Sequence, residues 1–260
     1  MHLFHKNTSV YYTSTGKGKS IVFLHGFLEN STMWNSISQE FSKKYRVICI
    51  DLLGHGKTEN HGYVHSMEDQ AEMVKAVLNH LKLRKYIVIG HSMGGYVALS
   101  FSKLFPNNVK GLCLMNSTAL ADTKEKKINR NRAIEAVKQN HKTFVRIAVP
   151  MLFSEKNRAL FPSEIKEVTN EALKISPQGI IAALEGMKIR ENTTSIYKEA
   201  HFPILMIIGK QDPALDYNSL IAQTKNTNVQ IVEFPDGHMS HIENKDALIA
   251  SLFSFVKNCG

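Results

Sequence analysis

The chain has 260 residues, 43% hydrophobic and 21% charged, values of a globular protein that can bury one large core, with or without an insertion. No apolar run approaches the ~20 residues of a membrane span, the first residues lack the charged start and apolar stretch of a secretory signal, and the three cysteines, Cys49, Cys113 and Cys259, suggest neither a disulfide framework nor a thiolate metal site. The formal net charge is +9, and Asp122–Arg146, with eight Lys/Arg against three Asp/Glu, carries +5 of it. No nucleic-acid motif accompanies that segment, so a solvated, lysine-rich helix face is the plain expectation. The composition predicts a cytoplasmic protein with small-molecule rather than nucleic-acid partners and leaves oligomeric state open.

In chain order, "HLFHKNTSVYYTSTGKG" (residues 2–18) alternates and ends in a Gly-Lys-Gly turn, which predicts an antiparallel hairpin at a sheet edge. Six near-continuous apolar runs follow: Ser20–Gly26, Tyr45–Gly54, Lys85–Ser92, Val109–Ser117, Phe202–Asp212 and Val229–His238. Strands covered on both faces by helices read this way. Among the segments between them, Asp69–Leu83 puts Met73, Val74, Val77, Leu78 and Leu81 on one helical stripe. Further helices are expected at Tyr96–Leu104 and Asp246–Val256. The alternation predicts an open, mixed α/β sheet. Residues 119–200 break the rhythm with helical stretches only, at Lys124–Gln139, Thr143–Leu152, Ser163–Ile175 and Pro177–Glu185, punctuated by Pro150, Pro162 and Pro177. They read as an all-helical lid, 119–200, inserted into a core made of 1–118 and 201–260.

The chemistry concentrates at strand ends. "YIVIGHSMGG" sets Gly-x-Ser-x-Gly between an apolar strand and a helix. Gly90 and Gly94 allow the tight reversal, Ser92 stands out as a nucleophile, and the Met93 N–H points at a bound oxygen. A serine needs a base and a group to orient it. His238 follows a strand and the turn Pro235-Asp236-Gly237, and is the candidate base. His241 either borders the pocket or faces solvent. Asp212, just past the end of its strand, is the candidate acid; Asp216, Asp122 and Asp51 sit less favourably. "LHGFLENSTMW" turns sharply at Gly26, so the Phe27 N–H can join that of Met93 in an oxyanion hole. His25 reads as structural, and His91 should point away from the nucleophile. Phe27, Trp34, Met93, Met151, Phe153 and Phe161 are candidate apolar wall residues. No metal site is indicated.

"LHGF", "DLLGHGKT", "GHSMGG", "IIGKQDP" and "DGHMSHIEN", in this order over nearly the whole chain, resemble the α/β-hydrolase superfamily, in its serine esterase and lipase-like branch. The resemblance implies a mostly parallel eight-stranded sheet flanked by helices, an all-helical cap after the sixth strand, a covalent acyl-enzyme and no cofactor. Serine at position 92 departs from the branches that use aspartate there, and Asn116 stands where other branches place the acid. The expected activity is hydrolysis of a carboxylic ester with a small or medium acyl group. Alternatives on the same fold are C–C bond or thioester hydrolysis, or elimination on an anionic substrate. "LHGFLENSTMW" is similar to the opening of the menaquinone-pathway enzyme that performs such an elimination, and Arg130, Arg132 and Lys127 would then meet the anion. A non-catalytic ligand receptor is a third reading.

Overall fold

The computed structural model describes every residue from Met1 to Gly260. Eight strands, β1 (His2–His5), β2 (Thr8–Thr15), β3 (Ser20–Leu24), β4 (Arg46–Ile50), β5 (Tyr86–His91), β6 (Val109–Met115), β7 (Ile204–Gly209) and β8 (Gln230–Phe234), form one sheet in the order β1-β2-β4-β3-β5-β6-β7-β8. β1 with β2 and β2 with β4 pair antiparallel; every other pair is parallel. The six apolar runs are β3 to β8, each trimmed by a few residues at its ends. The hairpin is present, but its turn is not Gly-Lys-Gly. Lys6 and Asn7, at φ 47° and 61°, connect β1 to β2 as a two-residue left-handed turn matched to the strand twist. Gly16 and Gly18, also at positive φ, instead carry the chain from β2 to β3.

The helices are α1 (Asn35–Phe41), α2 (Met67–His80), α3 (Met93–Leu104), α4 (Lys124–Ala148), α5 (Asn157–Leu160), α6 (Pro162–Ala172), α7 (Pro177–Ile189), α8 (Ile196–Glu199), α9 (Tyr217–Gln223), α10 (Ser240–Glu243) and α11 (Lys245–Asn258). Alternate strand residues feed two cores, as the period of two requires. Val22, Leu24, Ile48, Val88 and Leu112 pack with α2 and α3 on one face. Ile21, Phe23, Val47, Ile87 and Cys113 pack with α1 and α11 on the other. Burying each such side chain stabilises the fold by roughly 1.5–3 kcal/mol. α2 starts at Ser66, whose hydroxyl accepts from Asp69 N at 3.0 Å.

Between β6 and β7 the regular structure is helical only, from α4 to α8. α4 bends at Asn140 (φ −159°, ψ 92°), where the sequence shows a gap between two helical stretches. The Asn140 side chain accepts from Thr143 N at 3.0 Å and restarts the helix. Asp122 fastens this insert: buried, it pairs with Arg130 and with Arg190, the latter at 2.6 Å. Its carboxyl is pulled below the usual range, because the two guanidiniums outweigh the desolvation that alone would raise it.

Candidate active site

The strand order reverses around β3, with β4 on one side and β5 on the other. Ligands of open α/β sheets bind beyond the carboxyl ends of the strands at such a switch point. The loops after β3, β5, β6, β7 and β8 are therefore neighbours, and they carry Gly26–Glu29, Ser92, Asn116, Asp212 and His238.

Ser92 lies between β5 and α3 at φ 49°, ψ −113°, a conformation that costs an L residue of order 1–3 kcal/mol and persists only where its surroundings fix it. They do. Ser92 N donates to Met115 O at 2.9 Å, and the Ser117 hydroxyl donates to Ser92 O at 2.8 Å. A Cβ at position 90 would lie 2.3 Å from Gly94 O, and one at 94 would lie 2.3 Å from Leu24 O. Both glycines are thus required by the approach of strand and helix.

Ser92 and His238 line one cavity of about 350 Å³. His238 Nδ1–H donates to Asp212 Oδ2 at 2.7 Å, which leaves Nε2 as the free face of the ring. No hydrogen bond joins Ser92 to His238, a common state before substrate closes the site. Asp212 is held on every side: Oδ1 accepts from Ala214 N (2.8 Å) and Leu215 N (3.2 Å), and Oδ2 also accepts from Asn116 Nδ2 (3.1 Å). Burial would raise the Asp212 pKa, but His238 and these donors outweigh it and the carboxyl is held low. Phe27 N–H donates to no protein acceptor, and Met93 N–H opens the first turn of α3, whose amides have no partner within the helix. Leu28, at φ 64°, sets the reversal that follows Phe27. Together these parts can deprotonate a hydroxyl, hold the resulting imidazolium and receive a developing oxyanion.

The other sequence candidates separate. Phe27 lines the cavity. Trp34 does not: it ends the short 3-10 turn Ser31–Trp34 and is fully buried against Phe23, ring centroids 4.9 Å apart. Phe153 is likewise fully buried away from the cavity, and Met151 is half exposed on the surface. Leu152, between them, is the residue that turns inward. Phe161 and His241 line a different groove. Met93 is fully buried in the core and offers only its backbone. His25 is structural, with Nδ1 against Gly26 O at 2.8 Å and Nε2 accepting from Leu52 N at 2.8 Å. Asp51 accepts from Ser31 N and Lys57 N in its loop, and Asp216 caps α9. Arg130 lines the cavity together with its neighbour Asn129 and, one helical turn back, Lys126; Lys127 and Arg132 do not.

Three residues to which the sequence assigns no role organise the site. Glu29 Oε2 accepts from Gly26 N (2.8 Å) and from His91 Nδ1 (2.6 Å), and His91 Nε2 donates to His238 O (2.9 Å). The loops after β3, β5 and β8 are thereby joined through one buried ion pair. Burial alone would keep the His91 ring neutral, but Glu29 and the His238 carbonyl overcome it and raise its pKa. Glu29, despite its own desolvation, is drawn down to about 2 by His91 and His241. His241 is pushed down to about 4 by burial and is neutral. Ligand atoms of Glu29, His91 and His241 lie within 4.8 Å of one another, a set that can bind a metal, yet both His91 nitrogens are already engaged. Asn116 is the second: it donates to Asp212 and to Gly237 O (3.1 Å) while accepting from Ser240 Oγ (2.7 Å). Glu243 is the third, accepting from Gly237 N and Met239 N of the base loop and from Ser154 N and Asn157 Nδ2 of the helical insert.

No helix is long and apolar enough to cross a membrane. A family model described as the alpha/beta hydrolase fold matches residues 19–245. An esterase of Thermogutta terrifontis has a similar structure, with a TM-score of 0.93 and 27% identity over 100% of this chain and 98% of that one. The "putative 2-succinyl-6-hydroxy-2,4-cyclohexadiene-1-carboxylate synthase" of Bacillus subtilis is 28% identical over 240 residues, 86% of this chain and 85% of that protein. An uncharacterized protein of Mycobacterium tuberculosis is 34% identical over 102 residues, 39% of this chain, and the match spans only 30% of that relative's length.

Proposed function

The chain belongs to the alpha/beta hydrolase family, and on that premise we propose that it is a serine hydrolase that cleaves a carboxylic ester with a small or medium acyl group. The observation that carries the reading is the convergence on one 350 Å³ cavity of Ser92, in a strained strand-to-helix turn, and His238, whose far nitrogen is bonded to Asp212. Esterase-like structural neighbours support the reaction class. The cavity's mostly apolar lining, including Phe27, Phe144, Leu152 and Leu184, supports an acyl chain rather than a sugar or nucleotide.

In the proposed mechanism, His238 Nε2 takes the Ser92 proton as Oγ attacks the ester carbonyl. Asp212 stabilises the imidazolium that forms. The Phe27 and Met93 N–H groups hold the tetrahedral oxyanion, each worth about 2.7–4 kcal/mol of transition-state stabilisation. The alcohol leaves with the proton from His238, and water activated by the same ring releases the acid. Nucleophile, proton transfer and charge stabilisation all come from the chain, so the reaction calls for no cofactor. We divide the chain accordingly into a hydrolase core, 1–118 and 201–260, and a cap, 119–200. Its three free cysteines, all buried, are consistent with a cytoplasmic enzyme.

A fluorophosphonate probe should label the protein once, at Ser92, and Ser92→Ala should abolish both labelling and turnover of p-nitrophenyl acetate or butyrate. Labelling that survives Ser92→Ala, or a protein that neither labels nor turns over any p-nitrophenyl ester from acetate to long chains, overturns the proposal.

A further inference from the structure

Resting on the serine-hydrolase reading, we propose that the substrate is an anionic ester, one that carries a carboxylate away from its scissile bond. Lys126 and Arg130 at the cavity mouth would receive that carboxylate. The charge around the cavity is one-sided. Lys126, Asn129 and Arg130 reach it from successive turns of α4, and no Asp or Glu lines it. Lys126 Nζ donates to Ala214 O at 3.2 Å and has no carboxylate partner. Arg130 shares Asp122 with Arg190, so two guanidiniums face a single carboxylate and one positive charge is left over. The pocket therefore has a mostly apolar lining with the nucleophile and base on it, one cation without a carboxylate partner, Lys126, and beside it Arg130, whose carboxylate is shared, and the Asn129 amide. A neutral ester would leave those donors to water. A carboxylate would gain charge-assisted hydrogen bonds there. The helical insert's basic segment is thus not wholly a solvated face: Lys126 and Arg130, on successive turns, line the site.

The test uses two pairs of esters that differ only in charge. Mono-p-nitrophenyl glutarate and its terminal amide place the difference on the acyl side; 4-butyryloxybenzoate and its amide place it on the alcohol side. In the wild type, kcat/KM for the carboxylate should exceed that for the amide in at least one pair. That ratio should fall about tenfold in Lys126→Gln, the size of one charge-assisted hydrogen bond at a partly exposed site. It should also fall as salt is raised. Lys127→Gln removes the same charge from an exposed position that does not line the cavity, and should leave the ratio in place. A wild-type ratio of one or less in both pairs overturns the proposal. So does a ratio unmoved by Lys126→Gln, or one that falls equally in Lys127→Gln. Fluorophosphonate labelling of Ser92 in every variant separates these outcomes from failure of the serine-hydrolase reading itself.

Discussion

Two hollows lie on either side of the Leu28–Glu29 segment, and Leu28 borders both. One is the 350 Å³ cavity that holds Ser92 and His238, apolar in its body and positive at its rim. The other is a groove of about 800 Å³ between α1 and α6, lined by Glu29, Glu164, Glu167 and Glu171, with Lys245 the only cationic side chain. The loop after β8 sends a histidine to each, three residues apart. The larger hollow is not the better candidate. His238 has one ring nitrogen fixed by a carboxylate and the other free. His241 has an unpartnered Nδ1, and its Nε2 is 3.6 Å from Glu29 Oε1 with no hydrogen bond. A base is made by orientation, and only one of the two histidines is oriented.

The sharpest way to break this contrast is to exchange the histidines' fates. His238→Ala should lower kcat by about 10⁴–10⁶-fold, the scale on which loss of a triad member acts. His241→Ala should stay within a few-fold. Steady-state kinetics on p-nitrophenyl butyrate read both, and the opposite order would move the base to the acidic side.

The wall between the hollows gives the next effect. Glu29→Gln leaves the His91 charge buried without its partner, a change that typically costs about 3–5 kcal/mol. A large fall in Tm is expected, with a drop in kcat because the loops after β3, β5 and β8 share this pair. The pair also has a pH signature. Glu29, at about 2 against an ordinary 4.5, contributes stability that is present above 4.5 and lost as pH falls toward 2. His91, raised from 6.5, contributes stability that is full below 6.5 and lost as pH rises through its folded-state value. The wild type should therefore exceed Glu29→Gln most between about pH 4.5 and 6.5. Urea melts across pH 3–9 test this, and a constant difference would show that His91 is not the charged partner.

A smaller effect belongs to Asn116. Asn116→Ala removes one hydrogen bond to the Asp212 carboxylate and leaves Ser240 unpartnered. Hydrogen bonds to charged groups contribute about 1.5–3 kcal/mol, so kcat should fall by roughly 10–100-fold with KM nearly fixed. An unchanged kcat would mean that Ala214 and Leu215 N–H groups suffice to hold the acid.

These residues also show what the sequence could and could not reveal. β3 to β7 were legible because both sheet faces are covered there, which leaves their runs almost wholly apolar; β8, at the sheet edge with Gln230, Ile231 and Glu233 exposed, has a mixed run. That Ser92, Asp212 and His238 would stand at one end of the sheet was legible because each directly follows one of these runs. The hairpin turn was misplaced because Lys6 and Asn7 adopt a left-handed pair without glycine. Glu29 and Asn116 act on partners 62 and 96 residues away, and no local pattern encodes that distance. The wall residues failed for another reason. An apolar residue in a short turn carries no phase, so Met151, Leu152 and Phe153 were equivalent until the turn fixed which one faced inward. The basic segment held both answers: Lys126 and Arg130 reach the cavity, while Lys127 and Arg132, one or two positions on, do not.

The acidic groove supplies the last and smallest prediction. Glu167 is exposed on α6, lines the groove, and has no ion-pair or hydrogen-bond partner that its loss would strand. Glu167→Gln should shift stability by no more than about 0.5 kcal/mol, as for most surface changes away from special features. Its effect on kcat/KM for butyrate should be within twofold. A surface charge beyond a Debye length is screened at physiological salt, so an effect at low salt that vanishes near 0.15 M would be a through-solvent field. An effect that persists at high salt would mean that the groove communicates with Ser92 through the Glu29–His91 pair, and would make the two hollows one site.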